Sequence, residues 1–194
     1  MLKPDYPLRT ERLIIRPFTP GDLEPLHAFH SLPEVARYLY WEARDIDQTR
    51  QALEDKITRS ALYDEGQALC LAAELAETGD LAGDLTLFWH SRQHRHGEIG
   101  YVFHPAHHGR GLATEAAREL LRLAFEELGL RRVTGRCDAR NTASARVLER
   151  LGMRREAHFV ENEFVKGEWT DEYVYAILHR EWLAQRQAAA GQPT

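Results

Sequence analysis

A strand-like run, Glu98 to His104, halts at Pro105, and seven residues later the strongest helical pattern in the chain begins at Leu112. Proline lacks the amide hydrogen that a β-ladder needs. Ala113, Ala116, Ala117, Leu120, Leu121, Ala124, Phe125 and Leu128 then recur at helical spacing, up to a stop at Gly129. The connection His107-His108-Gly109-Arg110-Gly111-Leu112-Ala113 therefore joins a strand to the start of a helix. Glycines there let the backbone bend without a Cβ penalty and aim several N–H groups at one point, where the helix dipole also favours negative charge. Such a nest suits a phosphate. Arg110 adds a cation to it, and Glu115, in the first helical turn, opposes an anion. A plain glycine turn shares the local pattern, so the flanking strand and helix carry the reading.

The rest of the chain reads as one alternating domain. Arg12 to Phe18 is β-branched and ends at Thr19-Pro20-Gly21-Asp22, after which Leu23, Leu26 and Phe29 take helical spacing. A second helix is expected over Asp47 to Tyr63, with Leu53, Ile57, Ala61 and Leu62 on one face. Gln67–Glu77 and Leu81–His90 flank Thr78-Gly79-Asp80 as a hairpin, although the alanine-rich first arm also suits a helix. Arg132–Asp138 reads as a strand, and Asn141 caps a short helix that ends at Gly152. Met153–Phe164 and Trp169–Leu178 form a strand pair turning at Lys166-Gly167. The chain from Gln185 onward reads as loose, giving one domain over 8–182 and a tail over 183–194. The expected architecture is α/β, a central mixed, mostly antiparallel sheet of about seven strands with helices on both faces.

Composition narrows the function. A chain of 194 residues can bury about 70% of its extended surface, enough for a real core. A net charge of −5 offers no broad field for nucleic acid or anionic lipid. The 22 arginines against 3 lysines are scattered and mark no patch. Cys70 and Cys137 have neither zinc spacing nor the density of a disulfide scaffold, and no stretch carries a secretory or membrane-spanning apolar run. A soluble cytoplasmic protein is expected. Six histidines gather between His90 and His108, but no accompanying pattern sets a coordination number, so no metal is expected.

The ordered combination of EIGYVFHP, HHGRGLATEA opening a long helix, a strand, and NTASARVLERLGM resembles the GNAT superfamily of acyl-CoA-dependent N-acetyltransferases. The opening LRTERLIIRPF and the NxxS-type motif look most like the ribosomal-protein N-terminal acetyltransferases. The resemblance runs from about Leu8 to about Trp182. It implies acetyl-CoA as cosubstrate, with its pyrophosphate on His108, Gly109, Arg110, Gly111, Leu112 and Ala113. It also implies a bulged strand over Ile99 to Phe103 (hence Tyr101, Val102 and Phe103) that pairs with the pantetheine and aims an amide at the thioester oxygen, as an oxyanion donor for a tetrahedral intermediate. Relatives usually carry Gln or Arg where this chain has Ala106, so one side-chain contact is missing. Asn141 matches a cofactor-contacting position and is equally a helix cap.

The same resemblance implies Ser144 as the acid that protonates the departing sulfur and Glu163 as the base that takes the amine proton through water; a solvent-facing helix serine and a solvated strand carboxylate are the structural alternatives. Tyr101, Tyr173 and Tyr175 are further acid candidates. Tyr38, Tyr40 and Trp41 border the acceptor groove in this fold or simply pack. The resemblance implies a protein N-terminus, such as that of a ribosomal protein, as acceptor, and an α-amine, with a pKa of about 7.7 to 8.0, demands little of a base because it is partly neutral at cellular pH. A small-molecule N-acetyltransferase acting on an aminoglycoside, polyamine or amino acid would need an acidic groove, for which Asp45, Asp47, Asp64 and Glu65 are available. A non-catalytic acyl-CoA sensor is the third reading. Exposed strands near the C-terminus suit a homodimer.

Overall fold

The computed structural model describes residues 1–190. Its centre is an eight-stranded sheet in the order β1-β2-β3-β4-β5-β6-β8-β7. The strands are β1 (Leu8–Arg9), β2 (Leu13–Pro17), β3 (Ala68–Leu75), β4 (Leu81–Ser91), β5 (His96–Phe103), β6 (Arg132–Asp138), β7 (Arg154–Val165) and β8 (Glu168–Leu178). All neighbours run antiparallel except β5 and β6. The strand beyond the expected seven is β1, whose two residues leave too little periodicity to recognise. The Gln67–Glu77 arm is strand β3, fixed by its full pairing with β4.

Helices cover both faces. Leu69, Leu71, Ala73 and Leu75 of β3 join Leu85 and Leu87 of β4 in a core closed by α4 (Leu112–Arg122), α5 (Thr142–Arg150) and Trp182 of α6 (His179–Ala190). Phe18, Ala72 and Leu81 face the other way, onto Leu26 and Phe29 of α1 (Leu23–His30) and Leu53 of α3 (Ile46–Ile57). A short helix α2 (Pro33–Ala36) lies between α1 and α3. The α3 helix stops at Ile57, short of the expected Tyr63, because Leu62 leaves helical spacing to bridge Leu2 in the core. Nor is the chain after Gln185 loose as far as it is described. Trp182 is buried beside Phe125 and donates its indole N–H to Glu126 Oε1 (3.0 Å), while Arg186 pairs with the same carboxylate, so α6 is held on the helical turn Leu123–Glu127 that follows α4. Residues 191–194 of the expected tail lie outside the described residues. No helix among the described residues is long and apolar enough to cross a membrane.

The parallel pair β5–β6 is short. Its register covers His96–Arg132, Gly97–Val133 and Glu98–Thr134, and beyond these pairs the strands diverge. Gly97 sits at the closed end of this wedge, where an added Cβ would lie 2.6 Å from both the Phe88 carbonyl oxygen and Leu130 Cδ1. The main chain cannot yield as a flexible side-chain tip would. Gly97→Ala should therefore destabilise the fold by about 1–3 kcal/mol, read as a lower urea midpoint with an unchanged slope.

Candidate active site

The wedge exposes one side of a strand. His104 N–H donates to Ala82 O (2.9 Å), so His104 points its peptide groups at β4. In an antiparallel ladder successive residues alternate direction, and Ile99, Tyr101 and Phe103 must then turn their N–H and C=O groups toward the open side. Contacts at both ends agree: Gly97 O accepts from Thr134 Oγ1 (3.3 Å) on β6, and Phe103 O lies 3.0 Å from His108 Nε2. The bulge expected within Ile99–Phe103 is not there. Pairing with β4 is unbroken from Gly97 to Phe103, and the irregularity falls at Trp89/Ser91 of β4. Free main chain arises instead from the divergence of β6.

The glycine loop stands at the mouth of this wedge. Gly109 (φ +74°) and Gly111 (φ +79°) take the left-handed conformation, and a Cβ at Gly109 would meet nothing within 4 Å. No side chain caps α4, and its first internal bond runs from Glu115 N–H to Gly111 O (3.1 Å). The N–H groups of Leu112, Ala113 and Thr114 are thus the free donors that a helix start presents. Thr114 Oγ1 and His107 Nδ1 are buried without a partner among the described residues. This donor-rich, open cradle fits a diphosphate.

Glu115 does not oppose an anion as expected. Thr10 Oγ1 donates to Glu115 Oε1 (2.6 Å), the Arg12 amide to the same oxygen (2.8 Å), and Arg12 Nε to Oε2 (2.8 Å). Although its partial burial works against ionisation, these donors hold the Glu115 carboxyl below the ordinary carboxylate range. Arg110 contributes its carbonyl, which accepts from Arg12 Nη1 (2.8 Å), while the Arg110 residue is exposed.

Across the wedge, Asn141 caps α5 through Oδ1, which accepts from Ser144 N–H (3.1 Å). Ser144 Oγ lies 3.2 Å from the Tyr101 hydroxyl, so the capped helix brings it against β5. Burial pushes the Tyr101 phenol above its ordinary range despite the Ser144 contact, and pushes the neighbouring Cys137 thiol up to about 11. Val102 faces the opposite way, onto the α1–α3 core. Tyr173 packs against the core and Tyr175 is buried in it, with its hydroxyl on Glu149 Oε1 (3.0 Å).

A cavity of about 170 Å³ opens beside the wedge, between the 37–45 loop and the β7–β8 hairpin. Tyr38, Tyr40 and Glu163 line it, and the Tyr40 hydroxyl donates to Glu163 Oε2 (2.5 Å). Lys166 ties its walls together by donating to Ala36 O (2.7 Å). The lining residues that sequence reasoning missed include Glu98, Arg136, Asp138, Arg140, Glu168 and Glu172. Arg136 Nη2 lies 2.7 Å from Glu172 and 3.4 Å from Glu163, an arrangement between distant strands that leaves no local pattern. Trp41 is not in the cavity. Its ring packs on His30 (4.7 Å between centroids) under the Arg44 guanidinium. The four acids held in reserve for a cationic acceptor are also elsewhere: Asp45 caps α3, Asp47 pairs with Arg50, and Asp64 and Glu65 bind Arg92. The histidine-rich segment spreads over β4, β5 and the glycine loop, and among the described residues no three potential ligands converge on a metal position.

The family model for the acetyltransferase (GNAT) domain matches residues 12–154. The chain belongs to this family. YnaD of Bacillus subtilis, named as an uncharacterized N-acetyltransferase, is 32% identical over 176 residues, 90% of this chain and 98% of its own. YdaF of the same organism, whose name assigns it provisionally to the ribosomal N-acetyltransferases, is 34% identical over 116 residues, 60% of this chain and 63% of its own. A GNAT acetyltransferase structure from Bacillus anthracis superposes with a TM-score of 0.81 at 32% identity, covering 90% of this chain and 99% of the other. Spermidine N-acetyltransferase from Vibrio cholerae, solved with CoA and spermine, shares the fold with a TM-score of 0.75 at 23% identity, covering 90% and 99%. The protein is an acetyl-CoA-dependent N-acetyltransferase with a mixed α/β GNAT fold.

Beneath the 37–45 loop lies a buried charge cluster. Asp84 (5% exposed) accepts from Lys56 Nζ (2.8 Å) and faces His30 Nε2 (3.3 Å), and His30 O accepts from Arg44 N–H (3.0 Å). Burial favours the neutral acid, but Lys56 and His30 outweigh it and hold the Asp84 carboxyl below the ordinary range. A depressed carboxyl contributes stability above its unfolded pKa, about 3.9, that is lost as pH falls through the folded value. Asp84→Asn should therefore cost about 3–5 kcal/mol at pH 7, measured by urea unfolding. The gap from wild type should narrow as pH drops below about 4.

Proposed function

We propose that this N-acetyltransferase modifies the α-amino group of a protein or peptide N-terminus. The observation that carries the reading is the charge pairing of the acceptor cavity. Six carboxylates line it against four cations, and Arg136 bridges Glu163 and Glu172 while Arg140 bridges Asp138 and Glu168. A polyamine needs a strong uncompensated negative field; here fixed arginines already satisfy most of it. Tyr38 and Tyr40 add aromatic walls suited to the first residue of a chain. The partial likeness to YdaF points the same way.

Acetyl-CoA supplies an acetyl group activated as a thioester. The glycine nest and the first N–H groups of α4 hold its diphosphate, Asn141 contacts the pantetheine arm, and the wedge-facing amides of Tyr101 and Phe103 polarise the acyl oxygen. Glu163, oriented by the Tyr40 hydroxyl, accepts the amine proton through water. Ser144 Oγ donates the proton that the leaving sulfur requires. Tyr101, whose hydroxyl donates to Ser144 O (3.1 Å) and stands 3.2 Å from Ser144 Oγ, orients the serine. A soluble cytoplasmic enzyme and a homodimer built on the C-terminal strands remain part of this reading.

In a thiol-release screen with acetyl-CoA, peptides beginning with Ala, Ser or Gly should give kcat/KM about tenfold or more above spermidine and aminoglycosides. A preference for spermidine would contradict the N-terminal reading and assign the cavity to polyamines, and thiol release with no acceptor of either class would leave neither standing. Ser144→Ala and Glu163→Gln should each lower kcat by about 10- to 10³-fold while KM for acetyl-CoA stays within about twofold, measured by steady-state kinetics on the preferred peptide.

A further inference from the structure

We infer that Arg12 is a positioning residue for the coenzyme diphosphate, acting by cancelling the Glu115 carboxylate beside the glycine nest. The inference rests on the nest reading given above and adds a residue from the opposite end of the chain. Arg12 lies in the β1–β2 turn and its own carbonyl accepts from Ala76 N–H (3.0 Å), which fixes it against the end of β3. From there its guanidinium makes a double engagement. Nε donates to Glu115 Oε2 (2.8 Å), with Nη2 2.7 Å from the same oxygen, and Nη1 donates to Arg110 O (2.8 Å), the carbonyl between the two glycines. Nη2 also stands 3.5 Å from where a Cβ on Gly111 would be. The cation is thus at the rim of the nest.

Two consequences follow from charge. A carboxylate in the first turn of a helix favours the helix itself but repels an anion bound at the same N-terminus. Pairing with a fork-shaped guanidinium removes that repulsion and, through Arg110 O, holds the loop in the conformation that presents its N–H groups.

The test is calorimetric titration with CoA, which binds without turning over, on wild type, Arg12→Ala, Glu115→Gln, the double variant and Gly111→Glu, each first shown to unfold cooperatively. Arg12→Ala should weaken CoA binding about tenfold, Glu115→Gln should stay within about threefold of wild type, and adding Glu115→Gln to Arg12→Ala should restore most of the loss. At saturating acetyl-CoA, kcat of Arg12→Ala should remain within about twofold of wild type. A purely structural strap would lower thermal stability in both variants without this restoration. Unchanged CoA affinity in Arg12→Ala, or a double variant no tighter than Arg12→Ala, overturns the inference while leaving the nest intact provided Gly111→Glu has lost CoA. If Gly111→Glu binds CoA like wild type, the nest reading itself fails and the role of Arg12 with it.

Discussion

The early end of the β5–β6 pairing is the constraint on which the rest of the molecule depends. Two parallel strands that part after Glu98 and Thr134 leave the inward peptide groups of Ile99, Tyr101 and Phe103 without a ladder partner. Buried peptide groups left unpaired cost about 1–3 kcal/mol each, so such an opening persists only where water or a ligand can reach it. The fold keeps it open from both sides. On one side α4 starts at the glycine loop, with Leu112 and Ala116 rooted in the core; on the other, α5 starts at Asn141 and sets Ser144 against the Tyr101 hydroxyl. The α4 start leaves the N–H groups of Leu112, Ala113 and Thr114 free beside the crevice that the diverging strands create, whereas the α5 start is capped by Asn141.

The cavity between the 37–45 loop and the β7–β8 hairpin is assembled from distant parts of the chain. The 37–45 loop is gripped at one end through Ala36 by Lys166 and at the other through Arg44 by the buried His30–Asp84–Lys56 cluster. Between these anchors Tyr38 and Tyr40 face Glu163 across the cavity. Charge within the cavity is largely paired: Arg136 contacts Glu163 and Glu172, and Arg140 contacts Asp138 and Glu168.

Features carried by local periodicity were legible in the sequence. The β5–loop–α4 segment could be read because proline, two glycines and a long amphipathic run act within about fifteen residues. The Lys166-Gly167 turn and the Asn141 cap are likewise short-range signals. What escaped depends on contacts between remote residues. Glu115 looked like a repulsive charge because Arg12, 103 residues away, leaves no trace in its neighbourhood. Whether Trp41 borders the groove or packs stayed open in the sequence, because an aromatic between helices gives no hint that His30 and Arg44 will flank it. The α6 helix has weak amphipathic patterning and is held mainly by Trp182 and Arg186 on Glu126. Arg136 and Glu172 meet Glu163 only because β6, β8 and β7 lie side by side in the sheet.

The most direct test of the central claim is a crystal structure of the protein with CoA. The account predicts diphosphate oxygens at about 2.7–3.2 Å from the main-chain nitrogens of Gly109 to Ala113, and a pantetheine arm lying between β5 and β6 along the peptide groups of Tyr101 and Phe103. A diphosphate bound elsewhere, or strands β5 and β6 found paired beyond Glu98 and Thr134, would contradict it.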